Sequence, residues 1–247
     1  MQSYKTPLIS IIIPSLNEEK LLPKTLSQFS PELKEKFNIE IIVSDGGSTD
    51  TTLEIASKFA DIIVQANPGE KQNISKGRNA GAKKANGDLL YLMNADTRIS
   101  NLEEFFVTTI NTFKNANYLA LSCRFKVFPE EEIFSDKLFH SFYNNYAHLL
   151  NVVGMGMGRG ECHMVRKSIF LKTGGYNENL AAGEDYDLYR RIKKLGKIKF
   201  FRNLVVYESP RRYRKYGYIS VFSDWTKNSI SVLFKNKSVS KNWDPVR

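Results

Sequence analysis

Four short clusters in this sequence hold side chains that could do chemistry. Ser15-Leu16-Asn17-Glu18, Ser44-Asp45-Gly46-Gly47-Ser48 and Asn94-Ala95-Asp96 each close an apolar run. Glu184-Asp185-Tyr186-Asp187 sets three acids in four positions, more than capping a helix requires. Carboxylates are the side chains that ligate hard divalent ions through oxygen and that take protons as general bases. The same residues also have plainer uses. Glu18 and Glu184 suit the first turn of a helix, Asp45 can shape the turn ahead of two glycines, and Asp96 can cap the next turn of the chain.

The elements that must position these clusters alternate. LISIII (8–13) is a continuous β-branched run, as expected of a strand buried on both faces, and Pro14 ends it. NEEKLLPKTLSQF then spaces Leu21, Leu22, Thr25, Leu26 and Phe29 as one helical face, with acids in its first turn. IEIIV (39–43) is the next strand, Asp50 can cap the helix TTLEIASKFA, DIIVQA (61–66) is a third strand and NISKGRNAGAKKA a small-residue helix. DLLYLM (88–93) is a fourth strand. Alternation of this kind implies a parallel sheet wound by right-handed crossovers, and such sheets bind ligands beyond the carboxyl ends of their strands. Three of those ends are the polar clusters. There is no G-x-G-x-x-G and no P-loop, so a nucleotide, if one binds, is held by side chains and not by a glycine cradle.

Beyond residue 100 the pattern is less regular. LEEFFVTTINTF reads as a helix, NYLALSC as a strand, residues 133–150 as an aromatic-rich amphipathic helix that is either core or a contact for an acceptor or lipid, ECHMVR as a strand, and a last helix starts near Glu184. GMGMGRG (154–160) reads as a mobile loop near a substrate or as a plain connector.

The chain of 247 residues suits one α/β domain with a short appendage. Cys123 and Cys162 match no disulfide framework or zinc spacing and read as buried thiols in a reducing compartment. With neither a signal peptide nor a bilayer-spanning apolar run in the sequence, the expectation is a cytoplasmic protein. The net charge of +10 is uneven: residues 188–247 carry +13 and the remainder −3. A basic quarter of this kind is either a solvated face or a surface for something polyanionic. No nucleic-acid-binding motif accompanies it, so nucleic acid is not expected.

SIIIPSLNEEKLLPKTL, IIVSDGGSTDTT, GRNAGAKKANGDLLYLMNADT and GGYNENLAAGEDYDL resemble, in order, the successive motifs of the family 2 glycosyltransferases, over residues 8 to 208. The resemblance implies an α/β protein of the GT-A fold, a mostly parallel central sheet flanked by helices. Its Rossmann-like nucleotide-sugar half would cover 1–100 and its acceptor half 101–210, with 211–247 as a basic helical extension. It further implies a metal-dependent, inverting transfer from a UDP- or GDP-sugar to an acceptor hydroxyl, with Mn²⁺ or Mg²⁺ as cofactor. Carried over, the donor-binding residues are Pro14, Asn17, Glu18, Asp45, Arg78, Asn94 and Ala95. Asp96 is the direct metal ligand and Asp185 the general base, with Glu184 beside it.

Two departures stand out. The family's D-x-D triplet is Asn94-Ala95-Asp96 here, so its first acid is missing. Relatives often place a metal-binding histidine after the final strand, where this chain has Glu208-Ser209; Glu208 is an oxygen donor and could restore the lost charge, unless it pairs with Arg211 or Arg212. The three histidines, His140, His148 and His163, read as structural. Acceptor specificity belongs to 122–160, for a carbohydrate or lipid-linked acceptor. In the tail, Tyr218, Phe222, Trp225 and Val232 share a helical face that either lies on an anionic membrane, making the protein peripheral at its inner face, or packs on the domain. A retaining transferase and a non-catalytic nucleotide-sugar-binding protein are the alternatives, because fold does not fix chemistry.

Overall fold

The computed structural model describes residues 8–67, 69, 72–240 and 246. The stretch before Leu8, on which most of the signal-peptide reading rests, and residues 241–245 of the basic tail lie outside them.

The first half shows the expected alternation: β1 (Ile9–Ser15), α1 (Leu22–Ser27), α2 (Pro31–Phe37), β2 (Ile39–Asp45), α3 (Thr52–Phe59), β3 (Ile62–Gln65), α4 (Ile74–Lys84) and β4 (Leu89–Met93). These strands stand side by side as β3-β2-β1-β4, all parallel. Every residue of β2 and β4 is buried, because helices cover both faces. Ile9, Ile11 and Ile13 of β1 enter one apolar layer and Ile12 the other, the period-two alternation of a strand. The small residues of α4 have a purpose in this packing. A Cβ on Gly81 would stand 2.5 Å from Ile12 Cγ2, so glycine there lets the helix lie close on the sheet.

Two local expectations are corrected. Helix α1 begins only at Leu22 and has no acid in its first turn. Glu18 and Glu19 lie in the loop ahead of it, where the Glu18 carbonyl accepts from Leu21 and Leu22 N–H. Asp50 does its capping one residue before the helix N-cap, Thr51: its carboxylate accepts from Thr52 N–H and, across the loop, from Glu19 N–H.

The second half comprises β5 (Thr97–Ile99), α5 (Leu102–Asn115), β6 (Tyr118–Val127), α6 (Phe134–Val152), β7 (Cys162–Arg166), α7 (Lys167–Lys172), α8 (Glu184–Leu195), β8 (Lys197–Glu208), α9 (Arg211–Tyr216) and α10 (Tyr218–Lys235). The sheet continues from β4 as β7-β6-β8-β5, to eight strands. Here β4–β7, β7–β6 and β8–β5 are antiparallel and β6–β8 is parallel. The result is a mixed sheet whose parallel pairings outnumber the antiparallel ones, with helices on its faces. The short elements β5, α2 and α7 carry too few residues to show a period in the sequence.

The tail face singled out in the sequence turns inward. Val232 is buried, and Phe222 and Trp225 pack with it against Tyr143, Tyr146 and Ala147 of α6. Among the described residues no helix is long and apolar enough to cross a membrane.

Candidate active site

The carboxyl ends of β1, β2 and β4 open into a cleft of about 840 Å³. Nine of the eleven residues singled out in the sequence line it: Pro14, Glu18, Arg78, Asn94, Ala95, Asp96, Glu184, Asp185 and Glu208. Asn17 and Asp45 do not. The Asp45 carboxylate is spent on its own turn, accepting from Gly47 N–H, Ser48 N–H and Ser48 Oγ. Asn17, in the left-handed region at φ 53°, accepts from Thr49 N–H and ties the β1 loop to the β2 loop. Both shape the cleft's rim.

Arg78 lines the cleft and is 1 % exposed. Its guanidinium donates to Glu184 Oε1 at 3.0 Å, to Asn94 Oδ1 at 2.8 Å and to the Gly160 carbonyl, and lies 5.1 Å from the Tyr176 ring centre. Close packing of α4 places it there. Asn94 therefore turns its amide oxygen to Arg78.

Glu184 and Asp185 open α8 behind Gly183, whose φ of 81° makes the entry turn. Burial, and then the neighbouring Asp185, push the Glu184 carboxyl up to about 7, against the pull of Arg78. Burial likewise raises the Asp185 carboxyl, although Tyr186 N–H at 2.7 Å and Gly160 N–H at 3.3 Å donate to it. The two acids are thus distinct: Glu184 is bound to an arginine, whereas the hydrogen bonds to Asp185 come from backbone N–H groups.

On the β4 side, Arg211 donates to Glu18 at 2.9 Å and pairs with Asp96 at 3.0 Å. Burial raises the Asp96 carboxyl to about 6; Arg211 lowers it, while Glu18 and Glu208 push it further up. Glu208 arrives beside it because β5 pairs Thr97 with Glu208. Glu208 does not take up the Arg211 pairing considered from the sequence. Its Oε1 accepts from Arg159 at 2.6 Å and Tyr213 at 3.0 Å and lies 2.8 Å from His140 Nε2. Despite burial, Arg159 and His140 hold its carboxyl down at about 2. Arg211 thus ties Glu18 to Asp96, while Glu208 beside them is held by Arg159, Tyr213 and His140. Among the described residues no three His, Cys, Asp or Glu side chains converge as a ready ligand set. The arrangement fits a Mg²⁺- or Mn²⁺-type ion that takes most of its ligands from phosphate and water.

Several lining residues escaped sequence reasoning: Arg159, Glu161, Tyr143, Tyr213 and Arg211. The stretch read as a mobile loop is in fact buried from Gly156 to Arg159, its Met157 backbone bound to Asn151 and Gly158 set against the Tyr189 ring. Glu161 pairs with Arg159 at 3.2 Å, and its carbonyl accepts from Asn94 N–H. Burial raises its carboxyl to about 8 against the opposing pull of Arg159. In a parallel sheet the ligand edge is formed by the carboxyl ends of strands. Strand β7 runs antiparallel to β4, so its beginning lies at the same edge, and the charged pair in GRGEC was the available signal.

Comparison with known proteins points the same way. The family model described as "Glycosyl transferase family 2" matches residues 10–173. A probable glycosyltransferase, YdaM, of Bacillus subtilis (strain 168) is 25 % identical over 219 residues, covering 82 % of this chain and 50 % of that protein. The dolichyl N-acetyl-alpha-D-glucosaminyl phosphate 3-beta-D-2,3-diacetamido-2,3-dideoxy-beta-D-glucuronosyltransferase of Methanococcus voltae is 35 % identical over 112 residues, 43 % of this chain and 34 % of that one. Of solved structures, the mannosyltransferase PcManGT from Pyrobaculum calidifontis in complex with GDP-Man and Mn²⁺ aligns with a TM-score of 0.65 at 17 % identity, over 89 % of this chain and 64 % of that one. The fold is the GT-A fold. The chain spans about half the length of YdaM and about a third of the Methanococcus protein.

Proposed function

The chain belongs to glycosyl transferase family 2, and from that premise we propose that it is a metal-dependent, inverting glycosyltransferase using a UDP- or GDP-sugar. One observation carries the reading: two differently tuned acid sites, Asp96 with Glu208 and Asp185 with Glu184, line one cleft at the strand ends of a GT-A sheet.

In this reading the donor lies across the ends of β1, β2 and β4. Pro14, Glu18, Arg78, Asn94 and Ala95 contact it, while Asn17 and Asp45 hold the loops that shape its nucleoside pocket. Asp96, with Glu208 beside it, would hold Mn²⁺ or Mg²⁺, which supplies charge stabilisation for the departing diphosphate. The Asp185 carboxylate takes the proton of the acceptor hydroxyl as that oxygen attacks the anomeric carbon. The new C–O bond forms as the bond to the diphosphate breaks, and the carbon inverts. A raised carboxyl suits this task, since a base works best when its pKa approaches the operating pH. Arg78 holds Glu184 away from that role and orients the start of α8. The acceptor is a carbohydrate or a lipid-linked one, and the basic C-terminal quarter extends the reading to an acceptor presented at an anionic membrane surface.

Thermal-shift titration with UDP and GDP, each with and without Mn²⁺, tests the donor half. Binding raises the melting temperature by mass action, and more so with the metal. No shift with either nucleotide would remove the donor reading, and a product of retained anomeric configuration by NMR would remove inversion.

A further inference from the structure

Helix α6 is inside out. Its buried side chains include Asp136, His140, Asn144 and Asn151. Beside exposed Lys137, Ser141 and Asn145, its outward side chains include five large apolar ones: Phe134 is 74 % exposed, Leu138 58 %, Phe142 54 %, Leu149 56 % and Val152 67 %. At 100° per residue these five fall on one stripe about a quarter of the circumference wide. A helix facing water carries the opposite pattern, polar outside and apolar inside. The buried polar groups are satisfied: Asp136 binds Arg214 and Tyr218, Asn144 bridges the Phe125 backbone, and Asn151 holds Met157. The inversion is therefore built into the fold.

The stripe is continued by the neighbouring helix. Phe142 meets Phe222 of α10 at 5.4 Å between ring centres, and α10 turns Ile219, Ile230 and Phe234 outward, 88 %, 53 % and 78 % exposed. Exposed apolar surface on two helices joined by such a ring contact marks an interaction site.

We propose that the outward face of α6, extended by α10, is a docking surface for an anionic lipid membrane. Charge selects this occupant. Helices α9 and α10 carry six Lys and Arg against Asp224 alone, so two copies meeting on this face would repel, whereas anionic headgroups would be attracted. The exposed side chains would enter the boundary between headgroups and acyl chains, with the helix lying in the plane of the surface. The docking face is not the one marked in the sequence, since Phe222, Trp225 and Val232 pack inward. The placement also serves the cleft. Tyr143, on the opposite side of α6, lines it, so one helix has one side in the site and the other on the lipid. This last step rests on the reading that the acceptor is lipid-linked; docking itself does not.

Sedimentation of the full chain with vesicles of phosphatidylcholine mixed with phosphatidylglycerol, against phosphatidylcholine alone, tests the surface at about 0.1 M salt. The mixed vesicles should carry the protein down and the neutral ones far less. Leu138→Glu with Leu149→Glu should weaken vesicle binding at least about ten-fold, while the UDP- or GDP-induced thermal shift stays as in the parent. Phe134→Asp, at the most exposed position of the stripe, covers the case in which the double variant is unstable. Absence of sedimentation with the mixed vesicles overturns the proposal, as does unchanged binding in the variants. A concentration-dependent dimer that the variants dissolve, without vesicle binding, overturns it in favour of a second copy. Loss of nucleotide binding in the parent would strike at the sugar-transfer reading alone.

Discussion

The same two apolar layers run through both halves of the molecule, but beyond Met93 buried charges join them. In the first half, β1, β2 and β4 lie between two apolar layers, and the pairings are consecutive or nearly so. Beyond Met93, ion pairs with at least one buried partner join residues far apart in the chain: Arg159 to Glu208 and Arg214 to Asp136 within the second half, Arg211 to Glu18 and Arg78 to Glu184 across the two halves. Apolar layers tolerate small trimming and charge networks do not, because removing one partner strands the other in a low-dielectric interior.

Arg159→Met gives the sharpest break. It would leave Glu208 and Glu161 without their buried cation and remove the guanidinium from the rings of Phe125, Tyr143 and Trp225. The expected loss is about 3–5 kcal/mol by denaturant unfolding. Ile12→Val, in the first half, should cost only about 0.5–1.5 kcal/mol. Equal losses would erase the distinction between the halves.

Asp185→Asn comes next and acts on turnover, not stability. It keeps the shape and removes the basic oxygen, so kcat should fall at least about 10²-fold, or about 2.7 kcal/mol in barrier. Nucleotide binding measured by thermal shift should persist. In the parent, turnover needs the deprotonated carboxylate. Burial raises its pKa, so the acid limb of the kcat profile should lie above the ordinary aspartate value of 3.8. Near-normal turnover in the variant would remove Asp185 from the mechanism.

The contrast also explains what the sequence made legible. The strands of the first half, Asp96 and the start of α8 were readable because β-branched runs and polar strand ends are local signals. Arg159, Glu161 and Arg211 were not, because their importance lies in partners brought close only by the fold. Glu161 reaches the strand-end edge through an antiparallel strand, and a rule built for parallel sheets does not look there. The inverted polarity of α6 was equally hidden. A helical period shows that two faces differ, but not which one is buried when the polar face is satisfied by Arg214 and by the Phe125 backbone.

Gly81→Ala probes how tightly α4 sits on the first half. The new Cβ would meet Ile12 Cγ2 at 2.5 Å, so the helix or the isoleucine must shift. Overpacking costs about 1–3 kcal/mol, offset in part by the better helix propensity of alanine, about 0.5–1 kcal/mol. A net loss of about 1–2 kcal/mol in unfolding is expected, with weaker nucleotide binding because Arg78 rides on the same helix. A stabilised variant would show that the layer has slack.

The smallest effect should come from a charge pair of the second half that reaches solvent. Arg98 pairs with Glu130 at 2.7 Å, but the two side chains are 38 % and 54 % exposed. Water and salt screen such a pair, so Glu130→Gln should cost under about 1 kcal/mol, far less than the loss at Arg159. The sign with pH is fixed by the Arg98 hydrogen bond, which lowers the Glu130 carboxyl below its ordinary 4.5. A lowered acid stabilises the fold at pH above its unfolded value, and that contribution fades as the pH falls through the folded value. The parent and Glu130→Gln should therefore differ slightly at pH 7 and melt together well below pH 4.5, and 1 M salt should close the gap at neutral pH as well. A gap at pH 7 as large as that of Arg159→Met would mean that exposure does not decide the worth of these pairs, and the division between buried and exposed charges in the second half would have to be redrawn.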